Sequence, residues 1–215
     1  MASVRLAFRL FGCALALLLI AAPTANAGLI SGVLPGLLSP SDTPSTCNTA
    51  ASQPFARWGD SSNYVLVPGG NFEKSMAGWT LSGGAAVVNG NEPFYVGSRS
   101  DNRSLALPAG SSAATTPMCF APGDMKMRFF GVSNGSSSSY LQVKVVVKSA
   151  FGILSVLDGG QMPTNSVWVP SPKLQLLLTN LTSLISTDSI SFRFVPYGSA
   201  SWRIDDVYLD PWKDG

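Results

Sequence analysis

Two adjacent carboxylates, Asp205 and Asp206, stand in the run Trp202-Arg203-Ile204-Asp205-Asp206-Val207-Tyr208-Leu209, which otherwise reads as a strand. In an extended chain successive side chains point to opposite faces, so alternation drives one of the two aspartates to the interior side. A buried carboxylate without a partner is costly and calls for a cation or hydrogen-bond donors. Calcium, a hard ion bound by oxygen ligands, would suit Glu73, one of the aspartates and loop carbonyls. Glu73, Asp205 and Asp206 are therefore the candidate metal ligands, and a structural calcium ion is the candidate cofactor. Two other solutions stay open: Arg203 or backbone N–H groups satisfy the carboxylates, or a strand bulge turns both outward.

Other chemistry is ruled out by residue type. The chain has no histidine, which removes Ser-His-Asp triads, Cys-His dyads and histidine-based zinc sites. There is no glycine-rich nucleotide fingerprint and no P-loop. A glycosidase needs two carboxylates across a cleft, and nothing in the sequence pairs any two for that task. A polysaccharide lyase built on Tyr, Lys and Arg needs no histidine and stays possible. The net charge is only +2 and no dense Lys/Arg run occurs, which speaks against a nucleic-acid partner.

The elements that position these groups read as strands. From Tyr64 onward, short apolar or alternating runs are separated by Gly, Pro, Asn and Ser clusters, the pattern of an all-β sandwich. Expected strands are Tyr64–Val67, Trp79–Leu81, Ala85–Asn89, Ser104–Leu107, Thr115–Phe120, Met125–Ser133, Tyr140–Ser149, Leu174–Leu178, Ser189–Val195 and Trp202–Leu209. Short pieces at Ile153–Leu157 and Val167–Val169 are also expected. In Tyr140–Lys148, Leu141, Val143, Val145 and Val147 point to the core, which turns Tyr140, Gln142 and Lys144 to the other side. Ile190, Phe192 and Phe194 alternate in the same way with Ser191 and Arg193. An aromatic ring beside Arg and Gln is what a sugar-binding face requires, since the ring packs against C–H groups and the polar groups meet hydroxyls. Arg128, Tyr140, Gln142 and Arg193 are the candidate ligand-binding residues, provided their strands are neighbours. Among the tryptophans, Trp79 is expected in the core, while Trp58, Trp168 and Trp212 are the candidates for exposure.

The 215 residues, 46% apolar and 12% charged, suit one domain with a sizeable core plus a targeting segment. Arg5 and Arg9, an apolar run from Leu10 to Ala22 and the site Ala25-Asn26-Ala27 read as a signal peptide over residues 1–27. The apolar run is shorter than the roughly 20 residues a membrane span needs, and no other stretch is long enough. Residues 28–58 form a Gly/Pro/Ser-rich tail, and residues 59–212 the sandwich domain. Cys13 leaves with the signal peptide. Cys47 and Cys119 remain, and in an oxidising compartment they are expected to form one disulfide, worth roughly 4 kcal/mol in the chain-entropy account.

Two segments resemble a known group. Val67-Pro68-Gly69-Gly70-Asn71-Phe72-Glu73 followed by Gly78-Trp79, and the terminal Ile204-Asp205-Asp206-Val207-Tyr208-Leu209, look like the opening and closing segments of jelly-roll carbohydrate-binding modules of the galactose-binding-domain-like group. Gly69 departs from the pattern, which often has Asn there. The resemblance implies a jelly-roll β-sandwich of two antiparallel sheets and, in such modules, a metal site that is structural and remote from the sugar. It implies an exported, non-catalytic binding module, secreted or held at the cell envelope, with a polysaccharide or envelope polymer as partner. A structural or adhesive envelope protein and a small polysaccharide-acting enzyme are the alternatives.

Overall fold

The computed structural model of the chain describes residues 50–118, 124–177 and 187–210, apart from 75, 77, 136, 150, 151 and 153. The expected signal peptide, most of the tail, Cys47, Cys119 and Trp212 lie outside the described residues, as do Phe120 and Leu178 at the ends of two expected strands.

Alternation builds the strands where the sequence places most of them. They are β1 (Val65–Leu66), β2 (Thr80–Ser82), β3 (Ala86–Asn89), β4 (Arg103–Leu107), β5 (Ser112–Ala114) and β6 (Asp124–Asn134). Then follow β7 (Tyr140–Ser149), β8 (Leu154–Pro163), β9 (Val169–Pro170), β10 (Leu174–Leu177), β11 (Thr187–Tyr197) and β12 (Ser201–Asp210). The larger sheet has the order β10-β6-β12-β4-β3, with β1 beside β12 and β9 beside β6; the smaller has the order β2-β5-β11-β7-β8. Pairing is antiparallel throughout. The chain passes repeatedly between the sheets, which gives a jelly-roll sandwich.

Two strands differ from expectation for local reasons. The run from Thr115 does not extend β5, because the Thr115 hydroxyl accepts the Phe192 amide (3.0 Å) and takes the place of a ladder carbonyl. Strand β8 runs on past Leu157 to Pro163. Gly159-Gly160, a turn signal in sequence, are absorbed as an irregularity in the register between Gln142 and Lys144, with Gly160 at a φ of 99° that favours glycine.

The core fills the space between the sheets. Leu141, Val143, Val145 and Val147 of β7 and Ile190, Phe192 and Phe194 of β11 are buried there, opposite Met125, Met127 and Phe129 of β6 and Trp202, Ile204 and Val207 of β12. Each large apolar side chain buried in this way contributes roughly 1.5–3 kcal/mol. Trp79 packs on this core, its indole N–H donating to the Pro68 carbonyl (2.7 Å).

A second apolar cluster of Phe55, Tyr64, Phe130 and Tyr208, with Trp58, Phe94 and Trp168 against it, is separate from that core. Phe130 and Tyr208 come from β6 and β12 of the larger sheet, and Phe55 and Trp58 from the segment the sequence assigns to the tail. Trp58 and Trp168 are therefore half-buried rather than presented as open platforms.

Arg128 belongs to this region, and the expectation that it shares a face with Tyr140 and Arg193 is overturned. It lies on β6, whereas β7 and β11 form the other sheet. Its guanidinium is buried, 2.8 Å from Asp60 Oδ2, donates to the Ser171 carbonyl, and lies over the Phe55 ring. Asp60 also accepts the Tyr64 hydroxyl (2.8 Å) and pairs with Lys173 (2.9 Å). Burial works against ionisation of Asp60. The hydrogen bonds from Lys173, Arg128, Tyr64 and Ser62 outweigh it and hold the carboxyl well below the usual range.

Because that pKa is depressed, the contribution is present above the unfolded carboxylate pKa of about 4 and is lost as pH falls below it. Asp60→Ala leaves Arg128 buried without its counter-ion, and should cost about 3–5 kcal/mol at neutral pH. Denaturant unfolding checks this, and a loss below about 1 kcal/mol, the worth of a surface pair, would show that the pair is not buried in solution.

Candidate functional site

The outer face of the smaller sheet holds a groove of about 320 Å³ lined by residues of β7, β8 and β11, among them Tyr140, Gln142, Lys144, Asp158 and Tyr197. Register makes it. Tyr140 stands opposite Tyr197, Gln142 opposite Val195, and Lys144 opposite Arg193 across the β7–β11 ladder. The rings of Tyr140 and Tyr197 are stacked, with centroids 5.1 Å apart and planes within 8°. Lys144 Nζ sits 5.6 Å above the Tyr197 ring, within cation–π range. The Ser139 hydroxyl accepts the amides of Ser199 (3.1 Å) and Ala200 (3.3 Å). This straps the turn after β11 to the start of β7 and fixes the tyrosine pair.

The groove thus brings together Tyr140 and Gln142, with Arg193 exposed on the same face. Gln142 differs in role from the expectation of a free donor. It is only 8% exposed, and its amide nitrogen donates to Asp158 Oδ1 and to the Gly160 carbonyl (2.9 Å). It forms the floor of the groove and pins the irregularity in β8. The groove residues missed in sequence are Tyr197, Asp158 and Val156, the last 59% exposed. Tyr197 shares parity with Arg193, so alternation carried two pairs further would have found it. Asp158 had no such signal, because the irregularity in β8 shifts its partner.

The carboxylates assigned to a metal lie on the larger sheet. Strand β12 carries a bulge between Asp205 and Tyr208, where Asp205 pairs with Phe130 and Tyr208 with Arg128. Asp206 takes the left-handed conformation (φ 49°), which aspartate tolerates better than most residues. The bulge breaks alternation. Ile204 and Val207 both join the core, so neither aspartate is driven into the apolar interior as simple alternation required. Both instead meet the loop from Asn91 to Asn102. Asp205 accepts the Glu92 amide (3.1 Å) and the Asp206 amide (2.8 Å). Glu92, fully buried, accepts the amides of Phe94 and Val96. Glu73 accepts the amides of Asn102 (2.8 Å) and Arg103 (2.7 Å).

Asp206 Oδ1 is buried with no hydrogen-bond partner among the described residues. Gly97 closes over it: a Cβ there would lie 2.7 Å from Asp101 Oδ2 and 3.4 Å from Asp206 Oδ1. Burial and the charge of Asp206 push the Asp205 carboxyl up to about 9, against the lowering effect of the two amides. Burial and the charges of Glu92 and Asp101 push Asp206 up to about 7. Asp101 is raised by burial and by Glu73. All donors are hard oxygens and the charge is one-signed, which fits a calcium ion in donor chemistry. Among the described residues no three carboxylates close on one point at metal-binding distance, so carbonyls and water would complete the shell. Asp206, Asp101 and Glu73 have the oxygens to offer, while Asp205 spends both of its own on backbone amides. Asp101 and Glu92 were not marked in sequence, since nothing local ties them to residues about a hundred positions away.

No family model and no curated protein matches the sequence. Solved structures of similar fold include carbohydrate-binding modules and the enzymatically active domain of bacteriophage CBA120 tailspike protein 4. The CBM22-1 xylan-binding domain of Paenibacillus barcinonensis Xyn10C is 15% identical, with a TM-score of 0.46 over 67% of this chain and 93% of that one. The CBM22-1–CBM22-2 tandem of the same protein is 14% identical, with a TM-score of 0.49 over 80% and 48%. TmCBM61, solved with beta-1,4-galactotriose, is 16% identical, with a TM-score of 0.43 over 69% and 98%. The likeness is one of fold alone. At these scores it bears on neither ligand nor site.

The raised carboxyls set a pH dependence for the metal-free protein. A group whose folded pKa lies above its unfolded value contributes stability fully present below the unfolded pKa and lost as pH rises through the folded one. In chelator, the melting temperature should fall between about pH 5 and about pH 9, as Asp206 and then Asp205 ionise. Asp206→Asn should flatten the lower half of that fall. A melting temperature that rises steadily over this range would contradict the burial of these groups.

Proposed function

We propose that the chain is an exported, non-catalytic binding module for a glycan or another cell-envelope polymer, with the groove over β7, β8 and β11 as its site. The observation that carries this reading is the stacked Tyr140–Tyr197 pair beside Lys144 and Arg193 on an open sheet face. Aromatic rings offer apolar surface to the C–H faces of a sugar, and the cations offer donors to its oxygens. A shallow contact of this kind gives affinities on the order of micromolar to millimolar. Export rests on the leader expected over residues 1–27, and the disulfide expected between Cys47 and Cys119 would accord with an oxidising destination.

Calcium belongs to this reading as a structural ion. Asp206, Asp101 and Glu73 would hold it on the sheet opposite the groove, and it would supply the positive charge that the buried carboxylates lack. Chelation should lower the melting temperature at neutral pH and added calcium should restore it. An unchanged melting curve, with no metal found by elemental analysis, removes the ion from the account.

A lyase is the competing reading, favoured by the same grouping of Tyr197, Lys144 and Arg193. Affinity electrophoresis against plant and bacterial polysaccharides separates the cases. Wild type should be retarded by at least one. Tyr140→Ala and Tyr197→Ala should each weaken retention by about tenfold, near 1.4 kcal/mol, with unfolding little changed. Retardation by none of them defeats the glycan reading and leaves the structural or adhesive role. Release of unsaturated oligosaccharides establishes the lyase.

A further inference from the structure

Lys144 and Arg193 stand directly opposite each other on the outer face of the smaller sheet. Side chains at such positions lie close, and like charges there destabilise a sheet. Neither has an ion-pair partner among the described residues. The carboxylate nearest in register, Asp158 opposite Lys144, accepts the Gln142 side-chain amide and the Gly160 backbone amide (2.7 Å) on Oδ1, and its single charge offsets at most one of the two cations. Lys144 instead reaches along the strand to the Tyr197 ring. Its ammonium therefore stands at the aromatic surface, and the Arg193 guanidinium remains exposed on the neighbouring strand.

The positive charge left over from Lys144 and Arg193 once Asp158 is counted is a cost to the fold that an anion would remove. The carboxylate cluster, where negative charge is in excess, sits on the other sheet and cannot compensate it. We propose that the groove takes an acidic polysaccharide, with a sugar ring against Tyr197 and a carboxylate or sulfate substituent bound by Lys144 and Arg193. Arg offers a planar fork of donors suited to two-point contact with either anion, and Lys adds a compact charge beside it. This inference rests on the glycan reading and narrows it to a substrate class.

The test uses the full exported chain in affinity electrophoresis and calorimetry. The probes are polygalacturonate and its carboxyl-reduced form, and dextran sulfate and dextran. The expected result is binding to at least one acidic polymer at least about tenfold tighter than to its neutral counterpart, weakening as salt is raised. The carboxylate and sulfate pairs show which anion is preferred. Lys144→Gln and Arg193→Gln should each remove most of the preference while leaving the melting temperature unchanged or higher, because the repulsion is relieved. Equal binding of acidic and neutral polymers, or a preference that survives both substitutions, overturns this inference and leaves the glycan reading intact. A lower melting temperature in both variants shows the cations to be structural and also overturns it. Acidic binding that persists in Tyr197→Ala shows simple ion exchange, which overturns it as well. Binding to none of these probes, or to any polysaccharide of the wider panel, removes the glycan reading and this inference with it.

Discussion

The pairing of β7 with β11 is the interaction on which the groove depends. Ile190 faces Val147, Phe192 faces Val145 and Phe194 faces Val143 on the core side of this ladder. The burial of those six side chains fixes the register, because a slip of one residue would turn the whole apolar set to solvent. The same register determines the outer face. Tyr140 meets Tyr197 and Lys144 meets Arg193 only because the apolar residues between them are buried. The groove is thus the reverse side of the core, and its residues need no stabilising contact of their own to be held in place. Ser139 adds a local restraint at the turn that follows Tyr197, and Gln142 adds another at β8.

The larger sheet solves a different problem. Its central strand β12 carries two aspartates where an unbroken strand would send one of them into the apolar core. The bulge at Asp206 shifts the phase by one residue and lets Ile204 and Val207 both face inward. The cost is transferred to the loop from Asn91 to Asn102, which supplies the Glu92 amide to Asp205 and brings Glu92 and Asp101 near Asp206. A few angstroms of polar backbone satisfy most of these oxygens, but Asp206 Oδ1 is left over. Protonation, which burial and the neighbouring carboxylates favour, satisfies it, as would the calcium ion proposed above. The two outer faces therefore differ in charge: clustered carboxylates on the larger sheet, and two cations against the single carboxylate of Asp158 on the smaller.

Period-two alternation made the fold class and one face of each long strand legible in sequence. Tyr140 and Gln142 were placed on a common side by that rule alone, and Arg193 joined them on the condition, met here, that its strand is a neighbour. Strand neighbours are set by tertiary pairing, which alternation does not encode. Arg128 was misplaced for that reason: its parity on β6 is as regular as that of Arg193 on β11, but the two strands lie in different sheets. Bulges are equally silent. At Asp206 and at Gly159-Gly160 one extra residue changes which side chain faces which, and with it the partners of Asp205 and Asp158. Long-range hydrogen bonds complete the list, as with Glu92 and Asp205, 113 residues apart. The wrapping of Phe55 onto Phe130 was hidden for another reason: proline and serine around it read as a tail, while the aromatics Phe55 and Trp58 anchor the segment.

The account stands or falls on whether the face built by β7 and β11 is where a glycan sits. Amide chemical-shift mapping of the isotope-labelled protein, titrated with oligogalacturonides and with neutral xylo-oligosaccharides, addresses this directly. Shifts that saturate and cluster on residues 139–144, 156–161 and 193–199, with the larger sheet quiet, are the predicted result. Saturating shifts centred on the loop from Asn91 to Asn102 or on the segment around Trp58, with the β7–β11 face unmoved, would contradict it.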